Sequence, residues 1–236
     1  MKAVILAAGK GERLKGTVDD IPKPMIMYHG KPILQHNLEL CRKYGISEIF
    51  MNTHHLPERI KSYFGDGSAF QMKITYSYEE ELLGTAGALN NFRKELADKP
   101  FFVLYGDNYS GFDLTSLVLE YQKHACIGVI GFHYREDVSQ SGVGEFAQDG
   151  RILRFIEKPR SGATESKWVN AGIYYVSAEI LRHISVGYSD FGKDIFPKLI
   201  REGVPLYSVC SDALLRAFDT PEMMRFSLEA KPKSER

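Results

Sequence analysis

Two cationic segments lie close together near the start of the chain. The first, Leu6-Ala7-Ala8-Gly9-Lys10-Gly11-Glu12-Arg13-Leu14, is a glycine-rich turn that carries Lys10 and Arg13. Glycine reaches φ > 0 without steric cost, so backbone N–H groups of such a turn can approach phosphate oxygens closely, and a guanidinium adds a charge-assisted fork. The segment reads as an anion cradle. Two better-known phosphate loops are excluded by spacing: no Gly-Lys-Ser/Thr follows four intervening residues, and no third glycine completes a dinucleotide fingerprint. In the second segment, Ile21-Pro22-Lys23-Pro24-Met25, prolines stiffen the backbone on both sides of one lysine. A lysine held that way loses less conformational freedom when its ammonium meets a phosphate.

Further along, Glu80-Glu81-Leu82-Leu83-Gly84-Thr85-Ala86-Gly87-Ala88 follows a β-rich run and opens a helical one. Small residues at a helix N-terminus leave room for a flat base against the backbone, and tight helix packing is the alternative. Leu104-Tyr105-Gly106-Asp107-Asn108 places a carboxylate outside the carboxyl end of a strand, where open α/β sheets bind ligands. Mg²⁺ takes one or two carboxylates and fills its remaining positions with phosphate oxygens, which makes Asp107 the first expected metal ligand. A turn or cap aspartate is the competing reading. His54 and His55 have no third ligand at zinc spacing and are expected to be loop residues.

These groups need a frame, and the hydrophobic pattern supplies one. Strands are expected at Lys2–Leu6, Glu48–Asn52, Lys73–Tyr76 and Phe101–Tyr105, with helices between them over Pro32–Tyr44, Pro57–Phe64 and from about Thr85. Gly45 is a plausible stop for the first helix. This alternation predicts an α/β fold: a doubly wound, mostly parallel, Rossmann-like sheet. From Cys126 the pattern becomes a β-rich meander, with Gly142, Gly144 and Gly150 as turn residues and Trp168–Val176 as a long strand. This half is expected to pair antiparallel and to pack beside the first, closing a cleft. Helices near Ser177–Ile184 and Asp190–Glu202, a strand at Leu206–Cys210 and a helix after Pro221 complete it. The organisation expected is one domain over 1–230, made of two halves (1–125 and 126–222), with a tail (231–236).

Composition narrows the class. Lys plus Arg and Asp plus Glu both total 30, so no global positive field concentrates nucleic acid. Cys41, Cys126 and Cys210 are widely spaced and odd in number, which fits reduced thiols and a cytoplasmic location better than a disulfide framework. The run Ala3–Ala8 is too short for a signal segment, and nothing approaches a membrane span. A homo-oligomer is compatible with the sequence.

The pair formed by the Leu6–Leu14 turn and Pro22-Lys23-Pro24-Met25 resembles the signature of the sugar-1-phosphate nucleotidyltransferases. The resemblance extends from Lys2 to about Glu222, and it implies that 1–125 is the nucleotide-binding half and 126–222 the sugar-phosphate-binding half. It implies that Arg13 steadies the β- and γ-phosphates of a nucleoside triphosphate, that Lys23 sits at the α-phosphate, and that Gly106-Asp107 is the metal pair with Mg²⁺ as cofactor. Leu83-Gly84-Thr85-Ala86-Gly87 is the wording of the base segment in guanylyl members, which favours GTP. Phe155-Ile156-Glu157-Lys158-Pro159 and Val169-Asn170-Ala171-Gly172 look like the sugar-phosphate motifs: Glu157 accepting from hydroxyls, Lys158 pairing with the phosphate, Asn170 doing both. Asn108 and Gly144 are expected on the same side. Relatives usually read Asp-x-Gly-Thr-Pro-Glu near the end, whereas here Ala217 stands at the aspartate and Asp219 lies two residues on; Asp219 is either a second metal ligand or a helix cap. The closest wording is that of short guanylyltransferases for D-glycero-D-manno-heptose 1-phosphate, then mannose 1-phosphate. A uridylyl- or thymidylyltransferase and a non-catalytic nucleotide-sugar-binding subunit are the alternatives. No added β-helix, and hence no acetyl transfer, is expected.

Overall fold

The computed structural model describes residues 1–11, 14, 16, 20–218 and 220–229; Arg13, Asp219 and the tail from 231 lie outside them. Strands β1 (Lys2–Leu6), β2 (Met27–Tyr28) and β3 (Lys31–Pro32) precede helix α1 (Ile33–Lys43). Next come β4 (Glu48–Thr53), α2 (Pro57–Phe64), β5 (Lys73–Tyr78), the one-turn α3 (Gly84–Gly87) and β6 (Phe101–Tyr105). Then β7 (Asn108–Ser110) and α4 (Leu114–Lys123) lead to β8 (Gly128–Tyr134), β9 (Gly142–Phe146), β10 (Ile152–Glu157) and β11 (Trp168–Val176). The chain continues through α5 (Phe196–Arg201), β12 (Leu206–Ser211), β13 (Leu215–Ala217) and α6 (Pro221–Glu229).

The central strands are apolar on both faces, so they must be covered on both. Val4, Phe50 and Val103 enter one core cluster, while their neighbours Ala3, Ile5, Ile49, Met51, Phe102 and Leu104 enter another. Helix α1 covers the second face with Leu34, Leu38 and Cys41 and stops at Gly45, whose φ of 70° lets its N–H reach the Arg42 carbonyl. Strands β5-β4-β1-β6 run parallel in that order. The chain leaves β1 in one direction and returns on its other side at β6, which creates a switch point at their carboxyl ends.

The second half does not pack beside this sheet; it continues it. Strand β11 pairs antiparallel with β6, from Ile173 opposite Leu104 to Val176 opposite Phe101. Strands β9 and β8 also pair with β11, β10 with β9, and β12 with β8, giving one nine-stranded sheet. The β8–β12 pair is parallel, against the expectation of an all-antiparallel half.

Three local expectations need correction. Gly142 and Gly144 are strand residues of β9 rather than turns, and crowding explains them. A Cβ on Gly142 would lie 2.5 Å from the Phe155 ring, and one on Gly144 2.5 Å from the Phe146 ring. The helix from Thr85 is a single α-turn that tightens to 3₁₀ over Ala88–Phe92. The helix expected over Asp190–Glu202 begins as a π-helical turn (Phe191–Ile195), capped by Asp190 Oδ1 accepting from the Gly192 and Lys193 N–H groups.

Candidate active site

A cleft of about 390 Å³ opens at the switch point. Its first wall is made by the carboxyl ends of β1, β4 and β5. Leu6, Ala8 and Gly9 line it. Gly9 has a negative φ, and a Cβ there would meet nothing within 4 Å among the described residues, so neither backbone strain nor packing demands a glycine. What its bare backbone leaves is room beside the cleft. Behind the turn, a buried polar chain ties three loops together. The Ala7 N–H donates to Asn52 Oδ1 at 2.9 Å, Asn52 Nδ2 donates to Glu79 Oε1 at 2.8 Å, and the Leu83 N–H donates to Glu79 Oε2 at 3.0 Å. Asn52 and Glu79 are both 3 % exposed and both border the cleft. Buried carboxylates persist only where donors satisfy them, and here the donors fix the phosphate-type turn relative to the segment after β5.

At the floor, Asp107 sits in the tight turn between β6 and β7 and pairs with the Lys23 ammonium. Lys23 is buried in the 3₁₀ turn that its flanking prolines impose. Strand β13 pairs with β7, so that Ala217 lies opposite Asn108 and both border the cleft. Phe218 turns the other way, into a core cluster with Leu14, Tyr28 and Ile33.

The second wall comes from β8, β9, β10 and β11. Glu157 ends β10 with its carboxylate against two glycines: a Cβ on Gly142 or Gly192 would lie 2.8 or 2.7 Å from Oε2. Burial, reinforced by the Asp190 charge, raises the Glu157 pKa above the usual carboxylate range. Lys158 follows with φ 48°, a left-handed conformation that costs a non-glycine residue roughly 1–2 kcal/mol. Of the four described non-glycine residues with positive φ, it alone borders the cleft. Asn170 donates to the Tyr174 hydroxyl (2.8 Å), which donates to the Tyr105 hydroxyl (3.1 Å), while its Oδ1 accepts from the Gly172 N–H. Burial pushes both tyrosines upward, so their hydroxyls remain donors. His133 and Arg135 project from the end of β8. Burial, aided by the Arg135 charge, lowers His133 to about 4 and keeps it neutral.

Measured against the sequence, Leu6, Ala8, Gly9, Gly84, Thr85, Asp107, Asn108, Glu157, Lys158 and Asn170 share this cleft. Lys23 stands just behind Asp107. Arg13 and Asp219 fall outside the described residues. Several expected positions do not line it. Glu80 points to solvent, and Glu79 takes the inward place because the Glu79 N–H still pairs with the Thr53 carbonyl and extends the strand register. Lys10 is exposed and borders nothing in the cleft, and Gly144 is crowded among Phe132 and Phe146. Ala7, Gly11 and Gly106 do not line it either: the Ala7 N–H is tied to Asn52, Gly11 lies beside Lys23, and the Gly106 N–H donates to the Leu6 carbonyl and joins β6 to β1. Gly172, at φ 68°, makes room for the Tyr105 ring. The helix N-terminus expected to receive a base is closed: the Ala86 and Gly87 N–H groups both donate to the Ser189 carbonyl at 2.9 Å. Gly84 and Gly87 are small because the 187–189 segment passes within 2.5 Å of where their Cβ atoms would stand. His54 bonds the Glu79 carbonyl, a structural role.

The model of the nucleotidyl transferase family matches residues 2–214. The chain belongs to that family. Among its curated relatives, a UTP–glucose-1-phosphate uridylyltransferase of Synechocystis is 39 % identical, covering 90 % of this chain and 58 % of its own length. A mannose-1-phosphate guanylyltransferase catalytic subunit beta of Danio rerio is 36 % identical over 86 % of this chain and 57 % of its own. This nucleotidyl transferase chain therefore spans somewhat over half the length of those relatives. Among solved structures, HddC from Yersinia pseudotuberculosis complexed with GMP-PN superposes with a TM-score of 0.80 at 27 % identity, covering 97 % of this chain and 98 % of that one. A Bacillus anthracis structure described as a glucose-1-phosphate thymidylyltransferase shares the fold, with TM-score 0.86 at 22 % identity. No helix among the described residues is long and apolar enough to cross a membrane.

Proposed function

We propose that this chain is a cytoplasmic sugar-1-phosphate guanylyltransferase, joining GMP from GTP to mannose 1-phosphate or D-glycero-D-manno-heptose 1-phosphate and releasing pyrophosphate. The first half of the cleft takes the nucleotide and the second the sugar phosphate. One observation carries the choice of nucleotide: a buried carboxylate, Glu79, borders the nucleotide end. Guanine presents two donors on one edge, N1–H and N2–H, and a carboxylate accepts both; uracil presents a single N–H. The similarity to mannose-1-phosphate guanylyltransferases and to HddC supports the same choice.

In the reaction, a phosphate oxygen of the sugar 1-phosphate attacks the α-phosphorus of GTP in line, and the bond to the β-phosphate bridging oxygen breaks. The attacking group is already ionised at neutral pH, so no protein nucleophile or general base is required. What the chain contributes is position and charge. The bare backbone at Gly9 admits phosphate, Lys23 neutralises it on exchanging Asp107 for the α-phosphate, and Lys158 holds the acceptor. Glu157 and Asn170 orient the sugar hydroxyls. The donor set suits Mg²⁺: Asp107 faces the cleft, no cluster of three ligating side chains exists among the described residues, and a hard cation takes its other oxygens from phosphates. Asp107 would hold it; Asp219, outside the described residues, is either its second ligand or a helix cap. The metal supplies neutralisation of phosphate charge.

UTP is the second reading, favoured by the 39 % identity to a uridylyltransferase. A non-catalytic nucleotide-sugar-binding chain is the third, motivated by Ala217, which borders the cleft without a carboxylate. Pyrophosphate release measured across four nucleoside triphosphates and a panel of sugar 1-phosphates, with and without Mg²⁺, separates all three. Glu79→Gln should lower kcat/KM for GTP at least tenfold relative to UTP. An unchanged ratio removes Glu79 from base selection, and no release with any pair removes catalysis.

A further inference from the structure

The sequence motifs assign one cation, Lys158, to the acceptor side of the cleft. The structure holds a second. Arg135 leaves the end of β8 and borders the same wall. Both residues meet Ser141, one through its backbone and one through its side chain: the Lys158 backbone N–H donates to the Ser141 carbonyl at 3.0 Å, leaving its side chain exposed, and Arg135 Nη1 donates to Ser141 Oγ at 3.3 Å. Arg135 Nη2 also lies 3.8 Å from Met223 Sδ of α6, and its backbone N–H donates to the Lys167 carbonyl. Among the described residues that border the cleft, these two are its only lysine or arginine side chains; carboxylates that feel their charge include Asp137 for Arg135 and Glu157 for Lys158. Two cations that border one wall favour an anion in the space they share.

We infer that Arg135 and Lys158, which border one wall of the cleft on either side of Ser141, form a two-cation clamp for the phosphate of the sugar 1-phosphate, with Arg135 as a binding residue that no motif of the sequence announces. The inference rests on the activity proposed above. A guanidinium offers a planar fork that matches two phosphate oxygens, which an ammonium cannot. The Lys158 ammonium then takes a third oxygen from the other side. His133, next inward on the same face of β8, is neutral and adds no charge to the clamp.

The test uses the whole chain. Steady-state KM values for mannose 1-phosphate or glucose 1-phosphate, whichever the wild type turns over, and for the nucleotide are measured in wild type, Arg135→Gln and Arg135→Lys. Calorimetric titration with the same sugar phosphate accompanies them. The clamp predicts that Arg135→Gln raises KM and Kd for the sugar phosphate 10- to 100-fold, leaves the nucleotide KM within twofold, and leaves the melting temperature unchanged; Arg135→Lys restores part of the loss. A sugar-phosphate KM within twofold of wild type overturns it. So does a parallel rise in both KM values with a lower melting temperature, which would make Arg135 a strut for α6. A wild type that neither releases pyrophosphate nor binds a sugar phosphate sinks the activity and the clamp together, whereas normal turnover with an indifferent Arg135→Gln sinks the clamp alone.

Discussion

Replacing Lys158 by glycine should make the protein harder to melt while disabling it. The residue holds φ 48°, its backbone N–H bonds Ser141, and its side chain is exposed, so the ammonium contributes little to packing. The left-handed conformation costs any residue with a Cβ roughly 1–2 kcal/mol. Glycine removes that cost but gives back about 0.5–1 kcal/mol through the freer unfolded chain. The net gain of Lys158→Gly over Lys158→Ala is therefore about 0.5–1 kcal/mol. For a chain of this size 1 kcal/mol moves the melting temperature by about 2–4 °C, so the two variants should differ by roughly 1–4 °C, glycine higher. Both lose the ammonium equally. A hydrogen bond to a charged group is worth about 1.5–3 kcal/mol, so kcat/KM for the sugar phosphate should fall about 10- to 150-fold in each. Calorimetric melts of the three proteins, run beside the pyrophosphate assay, give both quantities. An alanine variant that melts at or above the glycine variant would refute the claim that this backbone is held strained for the sake of its side chain.

Gly144→Ala should cost about 1–3 kcal/mol by overpacking, because the added methyl would stand 2.5 Å from the Phe146 ring and 2.7 Å from Phe132; chemical denaturation measures it, and a neutral change would mean that β9 has room to move. Glu157→Gln should raise the melting temperature at pH 7 but not at pH 4. The Glu157 pKa is raised, so the folded state binds its proton more tightly than the unfolded chain does. Stability is therefore lost as pH climbs from the unfolded value through the folded one, and the amide escapes that loss. Melts at the two pH values that shift equally would contradict this.

Much of the frame was legible because it rests on strong local periodicity. Lys2–Leu6, Phe101–Tyr105, Pro57–Phe64 and Trp168–Val176 are apolar on the faces that the sheet buries, and the structure has all four at those bounds. The site was legible where glycine, proline and charge stand in a fixed spacing, as in the Gly9 turn and Pro22-Lys23-Pro24. It was not legible where a single residue of register decides. Glu79 and Glu80 are adjacent carboxylates, and only the ladder to β4, which runs to Tyr78 opposite Thr53, determines which faces inward. Gly142 and Gly144 read as turns because the aromatic rings that crowd them lie elsewhere in the chain. The 187–189 segment that closes the α3 N-terminus was invisible for the same reason. Arg135 carries no local signal at all; its place follows from where β8 ends against β11.

The seam between β6 and β11 sets how the two halves of the chain can move. Hydrogen-bonded neighbours do not swing apart on a hinge without breaking their ladder, so the two walls of the cleft keep the separation set by the pairing from Leu104 to Phe101. Any change in the width of the cleft then falls to connections such as 135–141 and 185–189, which border it, rather than to lobes rotating. Cutting the chain after residue 125 would leave β6 with a bare edge, and each fragment would keep only one wall of the cleft.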